Sequence, residues 1–317
     1  KKKINRGTLT TWTKGFNCTG AIGKDPVLLL QDALFRKHVP VKVTALVNDT
    51  VGTLLSNAYQ KPNTIAGLIL GTGSNGAYIE KIGKMGKWQG TQQPEDEMII
   101  NMEFGAFDNE RNILPLTRFD NKLDRKSINP HSQLFEKLIS GMYLGEIVRN
   151  VICDMMDRNL LFTSWNQNTQ VISKHYAFET AYMSSIEGDD TNDLSVTREI
   201  LDTDLNLTDV SDVELRIVKR ICELVGTRAA RLAGMSIAAI IQHSDLDENG
   251  ADIGIDGSLY EFYPSFEARM YSAIEELLPQ YPDIRKTVRL GLARDGSGVG
   301  AALTACVADK MARKLQQ

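Results

Sequence analysis

Residues 65–82 read IAGLILGTGSNGAYIEKI, and this stretch decides the fold class. The apolar run over residues 65–70 is typical of a buried strand, and residues 78–82 form a second strand that leaves the same glycine-rich turn. The turn matches G-x-G-x-x-G, but a dinucleotide site needs a helix directly after the glycines and an acid ~20 residues later. The strand pattern after Gly76 therefore predicts a hairpin instead.

Outward from this hairpin, strands and helices alternate along the chain. Further strands are predicted over residues 41–47, 98–102, 252–255 and 288–292. Helices are predicted over residues 133–158, 264–278 and 299–315, and over 213–243 as a pair or one broken helix with breaks allowed at Gly226 and Gly234. The polar stretch 158–210 indicates loops with short helices and carries no recognisable motif. The alternation predicts an α/β protein with a mixed sheet.

Composition excludes several classes of protein. The chain has 317 residues with 36 Lys and Arg against 40 Asp and Glu, a net charge of −4 that argues against nucleic-acid binding. No apolar run approaches the ~20 residues that span a bilayer, so no membrane span is predicted. Four scattered cysteines favour reduced thiols and a cytoplasmic location. The sequence indicates no oligomeric state.

No metal site is predicted from side chains. The four histidines are as scattered as the cysteines. Asp245, Asp247, Asn249 and Gly250 copy the first half of a calcium loop, but a strand follows them where such a loop needs a helix. The pattern therefore favours a polar loop.

Three predicted strands end in glycine-rich turns, at residues 71–76, 256–258 and 296–300. Glycine allows close backbone approach, and successive N–H groups in such a turn can bind an anion. Each turn alone is better explained as a tight turn. Three together indicate a nucleotide site.

Carboxylates and amides also stand at element ends: Asp49 after a predicted strand, Glu103 after another, Glu136 at a helix start and Asn75 in the glycine turn. An aspartate facing a cleft can act as a general base when it is partly desolvated. Amides and carboxylates around it suit a polyol, because each hydroxyl both donates and accepts. Local alternatives stay open, since Asp49 could cap a helix that starts near Thr50 and Glu136 could favour a helix N-terminus.

Several long motifs, in one order, resemble the eukaryotic hexokinase family, and most closely its fungal hexokinase and glucokinase branch. The chain lacks that family's N-terminal part. The matching motifs are INRGTL and WTKGF at residues 4–9 and 12–16, LVNDTVGT at 46–53, GTGSNG at 71–76, NMEFGAF at 101–107, LFEK and SGMYLGE at 134–137 and 140–146, IDGS at 255–258 and DGSG at 295–298. They cover nearly the whole chain.

The resemblance implies an actin-like ATPase (ribonuclease H-like) fold of two lobes. Residues 1–48 would be the C-terminal part of the small lobe, 49–298 the large lobe with the sugar and nucleotide sites, and 299–317 a helix returning to the small lobe. The family's first phosphate turn, an Asp-Leu-Gly-Gly-Thr-like hairpin, would lie upstream of Lys1. We therefore expect the isolated chain to be nearly inactive.

The resemblance also implies residue roles. Asp49 would take the proton from the sugar 6-hydroxyl, and Lys14 would offer charge near the transferred phosphoryl group. The sugar would be held by Thr13, Lys14, Asn48, Asp49, Asn75, Glu103 and Glu136. The nucleotide, ATP with Mg²⁺, would be held by Gly71, Thr72, Gly73, Gly257, Ser258, Gly296 and Ser297.

The expected activity is that of an ATP-dependent hexose 6-kinase acting on glucose at the entry to glycolysis. An N-acetylglucosamine kinase stays open, because residues 129–133 read NPHSQ where relatives often have Pro-Gly-Gln-Gln. That loop approaches the anomeric side of the sugar in the family. A hexokinase-like sugar-binding regulator without catalysis is the other alternative.

Overall fold

A mixed sheet of five strands organises the structure. The computed structural model describes residues 4–163, 169–244, 246 and 249–314. The strands are β1 (Thr64–Leu70), β2 (Ser74–Lys81), β3 (Glu97–Asn101), β4 (Ala251–Asp256) and β5 (Val288–Leu292), in the order β3-β2-β1-β4-β5. β2 is antiparallel to β1 and β3, whereas β4 is parallel to β1 and β5. This confirms the predicted mixed sheet and the hairpin, in which Leu70 pairs with Ser74.

Helices cover the sheet. They are α1 (Pro26–Arg36), α2 (Asp49–Gln60), α3 (Arg118–Lys126), α4 (Leu134–Ile139), α5 (Gly141–Asp157), α6 (Thr180–Glu187), α7 (Ser195–Glu199), α8 (Asp212–Ser244), α9 (Ser258–Phe262), α10 (Phe266–Leu277), α11 (Ile284–Thr287) and α12 (Gly296–Lys314). The main apolar core lies between the sheet and α4, α5, α8 and α10.

α8 is one continuous helix, not a pair. A side chain on Gly226 would strike the ring of Tyr263, and one on Gly234 would strike the backbone of Met270 in α10. The two glycines therefore allow close packing and do not break the helix. By length and composition alone, α8 could cross a membrane, a possibility that the sequence prediction missed; 56% of its most apolar window is buried inside the protein, as in the core helix of a folded domain.

The predicted helix over residues 133–158 is interrupted at Ser140. Ser140 is extended, and its buried hydroxyl lies 2.7 Å from the Ser74 hydroxyl at the start of β2. The next residue, Gly141, donates its N–H to Gly71 O at 2.8 Å. The break arises because these groups bond to the sheet, which a continuous helix would prevent.

The predicted strand over residues 41–47 is wrong. The segment is extended, but within the described residues no strand pairs with it. Its backbone bonds instead to the Gln31 side chain, from Val41 O and Val43 N, and to Ile4 O from Leu46 N. Alternating apolar residues favour extended backbone, but a strand also needs a partner.

α12 begins at Gly296, earlier than the predicted residue 299, and the predicted end at residue 315 lies outside the described residues. It crosses α2 so closely that a β-carbon on Gly300 would collide with the Gly52 backbone.

The division into lobes at residues 48 and 298 stays a prediction. In the candidate calcium loop, Asp245 and Asp247 lie outside the described residues.

Candidate active site

One edge of the sheet collects the predicted site motifs. β1, β3, β4 and β5 point the same way, so their carboxyl ends meet at this edge, where β2 begins. α2 runs opposite to β1: its Leu54 lies over Gly67, and further along the helix Asn57 donates to the Thr64 hydroxyl at 2.8 Å. The α2 N-terminus is thereby directed to the same edge. Ligands of open α/β sheets bind at such carboxyl ends.

The first glycine turn is fixed by backbone bonds. Gly71 N donates to Gly73 O at 3.0 Å, and Thr72 O accepts from Met142 N in α5 at 3.2 Å. Together with the bond from Gly141 to Gly71, these contacts hold the turn against the α5 N-terminus. The turn thus has a defined shape before any ligand binds.

The second glycine turn follows β4 and lies beside the first. Gly257 has φ of 126°, and a β-carbon there would collide with Leu70 O. Only glycine fits this conformation without strain. The second turn therefore lies close to the first: a β-carbon added at Gly71 would lie 3.8 Å from Ser258 N.

The third glycine turn forms the first turn of α12, not a loop. Its Ser297 N–H donates weakly to the Asp256 carboxylate, at 3.4 Å. Gly296 and Ser297 therefore lie at the end of β4, beside α2.

Asn75 and Glu103, two of the predicted site residues, lie together in the structure. The register pairs Ala77 with Asn101 and so places Asn75 opposite Glu103. The Asn75 amide donates to Asn101 Oδ1 at 2.7 Å and to Glu103 Oε1 at 3.4 Å, and the Asn101 amide donates to Glu103 Oε1 at 2.7 Å. Sequence reasoning missed Asn101 as a site residue. Its position two residues before Glu103, at the end of a strand, was the available signal.

Glu136 reaches the glycine turn from α4. Its buried carboxylate accepts the Ser74 N–H at 3.0 Å. Burial raises the pKa of Glu136, which the Ser74 bond and the positive charge of Lys14 partly offset. The local alternative, a simple preference for a helix start, does not explain this bond to a distant strand.

Lys14 also reaches the turn. A β-carbon on Gly73 would lie 2.5 Å from Lys14 Nζ and 2.6 Å from Glu136 Oε2, so both charged groups point at the same place. Lys14 follows the exposed Thr13 in a tight turn, in which Phe16 N donates to Thr13 O at 3.1 Å. The structure thus brings Lys14, Glu136 and the glycine turn together.

Gln133, the last residue of the loop over residues 129–133, was not among the predicted site residues but lies beside Glu136. A β-carbon on Gly105 would lie 2.5 Å from its carboxamide oxygen and 3.0 Å from Glu136 Cβ. The preceding loop is anchored by the buried Lys137, whose ammonium donates to Asp124 Oδ1 and Asn129 O, both at 2.7 Å. The altered loop is therefore a fixed part of the site's rim.

Asn48 and Asp49 stand at the start of α2. Asn48 is the cap, and its side-chain oxygen accepts from Thr50 N at 3.0 Å. Asp49 accepts from the same N–H at 2.8 Å but is exposed. The partial desolvation that a general base requires is absent from this arrangement, so the role of Asp49 stays a prediction.

A cavity of about 600 Å³ lies beside the first glycine turn. Thr72, Gly141 and Ser258 line it together with residues from the polar stretch that carried no motif: Tyr176, Phe178, Glu179, Thr180, Ala181, Ser184 and Ser185. Its size and mixed lining suit a small polar ligand. Sequence patterns did not single out this wall, since Tyr176 and Phe178 lie outside any helix or strand and α6 carries no recognisable motif.

No group of three or more His, Cys, Asp or Glu side chains able to hold a metal ion occurs among the described residues. The four cysteines are free thiols.

Comparison with known proteins identifies the family. Two hexokinase family models match residues 65–307 and 1–59. The chain is 41% identical to a glucokinase of Aspergillus niger over 97% of this chain and 66% of that protein, and 39% identical to a hexokinase of Kluyveromyces lactis over 98% and 64%. It spans about two thirds of the length of these relatives.

A solved structure gives the same result. The hexokinase of Schistosoma mansoni complexed with glucose matches with a TM-score of 0.86 and 38% identity, over 98% of this chain and 67% of that one. The similarity confirms the predicted actin-like ATPase fold. With family models that match most of its length, the chain belongs to the hexokinase family.

Proposed function

We propose that the protein is an ATP-dependent hexose kinase that transfers the γ-phosphoryl group to the 6-hydroxyl of glucose, at the entry to glycolysis. One observation carries the proposal: the Gly71–Gly73 turn contacts both a nucleotide-sized cavity, through Thr72, and the carboxylate and amide cluster, through Gly73 beside Glu136. Two substrates bound there would meet at the turn. Glucose is the first choice because the Schistosoma hexokinase is a glucose complex.

The sugar would be recognised by paired donors and acceptors. Glu103 and Glu136 supply carboxylate oxygens, whereas Asn75 and Gln133 supply amides. Thr13 and Asn48 would complete the set from the other side. Because Asn75, Asn101 and Glu103 are already bonded to one another, they need little reordering when a sugar binds.

Asp49 would act as general base and accept the proton of the 6-hydroxyl. Its exposed position at the α2 N-terminus leaves a carboxylate oxygen open to a bound sugar. Bound sugar and closure of the lobes would exclude water and desolvate this group, which favours proton transfer to the carboxylate. Lys14 would stabilise negative charge near the transferred phosphoryl group, from its position beside Gly73.

ATP and Mg²⁺ fit the residues present. Glycine at position 257 lets the second turn lie directly against the backbone of Leu70 and Gly71 in the first turn, and the cavity beside them has a volume of about 600 Å³. Gly71, Thr72 and Gly73 would contact the phosphates, with Ser258, Gly296 and Ser297 on the nucleoside side. ATP supplies the phosphoryl group, and Mg²⁺, held mainly by phosphates and water, neutralises its charge.

A coupled assay of ADP release tests this function. The protein extended to the full length of its relatives should phosphorylate glucose with ATP and Mg²⁺, whereas this chain alone should be nearly inactive. A panel with glucose and N-acetylglucosamine separates the two sugars. Sugar binding without any turnover in the extended protein would favour the regulatory alternative and contradict the kinase.

The cytoplasm is the proposed location. Free thiols at Cys18 and Cys306, both exposed, agree with a reducing compartment. Fractionation of cells with an antibody against the protein checks it.

A further inference from the structure

We propose that Glu146 and Arg149, a buried ion pair on α5, are positioning residues for nucleotide binding. They hold the polypeptide segment that forms one wall of the cavity. The inference rests on the proposed function, because it concerns the nucleotide half of that site.

The pair is closed to solvent and tightly bonded. Both side chains are 2% exposed. Glu146 Oε2 accepts from Arg149 Nε and Oε1 accepts from the terminal NH2, both at 2.6 Å. Burial works to raise the pKa of Glu146, but the bonds from Arg149 and from the Tyr176 N–H hold it below its usual value. Both groups therefore remain charged.

The pair forms hydrogen bonds to the backbone of residues 172–176 at both ends of this segment. Arg149 NH1 donates to Ile172 O at 3.0 Å, and Glu146 Oε2 accepts the Tyr176 N–H at 2.7 Å. Tyr176 has φ of 60°, a left-handed conformation that costs a non-glycine residue energy. The buried carboxylate stabilises this conformation by fixing the Tyr176 amide.

The segment over residues 172–176 leads directly into the cavity. Tyr176 and Phe178 line the wall, and Thr180 follows at the start of α6. The Thr180 hydroxyl donates to Gly141 O at 2.6 Å and accepts the Gly145 N–H at 2.9 Å, which ties the wall to the first turns of α5. The same helix end holds the Gly71–Thr72 turn. One helix thus sets the spacing between the phosphate turn and the wall.

Other groups around the pair complete its bonding. His175 Nδ1 lies 3.2 Å from Glu146 Oε1 and 3.3 Å from Arg149 NH2. Asn150 Oδ1 accepts from Arg149 at 3.2 Å, and Cys153 Sγ lies 3.3 Å from Arg149 NH1. None of these contacts involves the carboxylate and amide cluster on the sugar side. Loss of the pair should therefore act on one substrate only.

Calorimetric titration of this chain with MgADP and, separately, with glucose tests the proposal. In Glu146→Gln/Arg149→Met, which removes both charges and leaves no unpaired ion, we expect MgADP affinity to fall roughly tenfold while glucose affinity stays within about twofold. Arg149→Lys keeps the positive charge but cannot make both hydrogen bonds to the Glu146 carboxylate. We expect its MgADP affinity to lie between those of the wild type and the double variant. Circular dichroism checks that each variant is folded.

A second ion pair, in which Asp120 is buried and Arg228 is partly exposed, serves as control. Arg228 donates to both Asp120 oxygens, at 2.7 and 2.8 Å, and joins α3 to α8 outside the cavity lining. Asp120→Asn/Arg228→Met should leave both affinities unchanged. Unchanged MgADP affinity in the α5 double variant would overturn the inference, as would equal losses for MgADP and glucose. Wild-type protein that binds glucose but no MgADP would instead refute the nucleotide site itself.

Discussion

The proposed sugar side and the proposed nucleotide side of the candidate active site are built in different ways. On the sugar side, polar side chains from separate strands bond to one another, as Asn75, Asn101 and Glu103 do. On the nucleotide side, backbone turns and a wall held by a buried ion pair form a cavity. We therefore expect side-chain identity to decide recognition on the first side and backbone conformation to decide it on the second.

The largest effect is expected at the junction of the two sides. Asp49→Ala should reduce turnover of the full-length protein by about 10²–10⁴-fold, because no group would remain to accept the hydroxyl proton. Glucose affinity, measured by calorimetry, should change little. Equal turnover in the variant and wild type would remove Asp49 from its proposed role.

A substitution at Gly257 tests the importance of backbone shape. Gly257→Ala places a β-carbon against Leu70 O at φ of 126°, so we expect a loss of about 1–3 kcal/mol in the free energy of unfolding and a marked loss of MgADP affinity. Gly86→Ala is the control, since nothing lies within 4 Å of its β-carbon. Urea titration measures the free energy of unfolding. If Gly257→Ala changes neither this free energy nor MgADP affinity, the backbone conformation of the turn matters less than proposed.

Asn101→Ala tests the contribution of the carboxylate and amide cluster to glucose binding. It leaves Asn75 and Glu103 without their common partner, which we expect to cost about 1–2 kcal/mol of glucose binding, or roughly tenfold in affinity. MgADP affinity should not change. A loss shared by both ligands would contradict the separation of the two sides.

The smallest effect concerns pH. Because burial raises the pKa of Glu136 in the folded protein, the folded state binds this proton more tightly than the unfolded chain. Its contribution to stability is then present at acid pH, below the unfolded pKa, and is lost as pH rises through the folded pKa. Glu136→Gln should therefore gain stability relative to wild type in urea titrations as the pH rises above about 4.3, the ordinary pKa of a glutamate. A difference that does not vary with pH would argue against a raised pKa.

Sequence patterns predicted the central sheet of this protein better than the segments whose conformation depends on contacts distant in sequence. The run Ile65–Leu70 and its glycine turn were sufficient for the central hairpin, because burial and turn chemistry act locally there. The strand over residues 41–47 failed because pairing depends on another segment. Ser140 interrupts a periodic helix for a bond to Ser74, which no local rule predicts.

The candidate site divides in the same way. Asn75, Glu103 and Glu136 stand at element ends, which made them candidates, but their proposed roles came from the resemblance to the hexokinase family. Tyr176 and Phe178 lie in an irregular polar stretch, where contacts made through Glu146 and Arg149 determine the conformation. Such contacts join residues far apart in sequence and leave no periodic signal.

The crossing of α2 and α12 has a consequence for how this protein can change. Gly52 and Gly300 come from nearly opposite ends of the described chain, and neither has room for a β-carbon while the helices keep their spacing. A mutation at either position must therefore be accompanied by a shift of a whole helix axis, and α2 carries Asp49 at its first turn. In a library of random variants selected for activity, substitutions at both glycines should therefore be depleted, although the two positions are far apart in sequence.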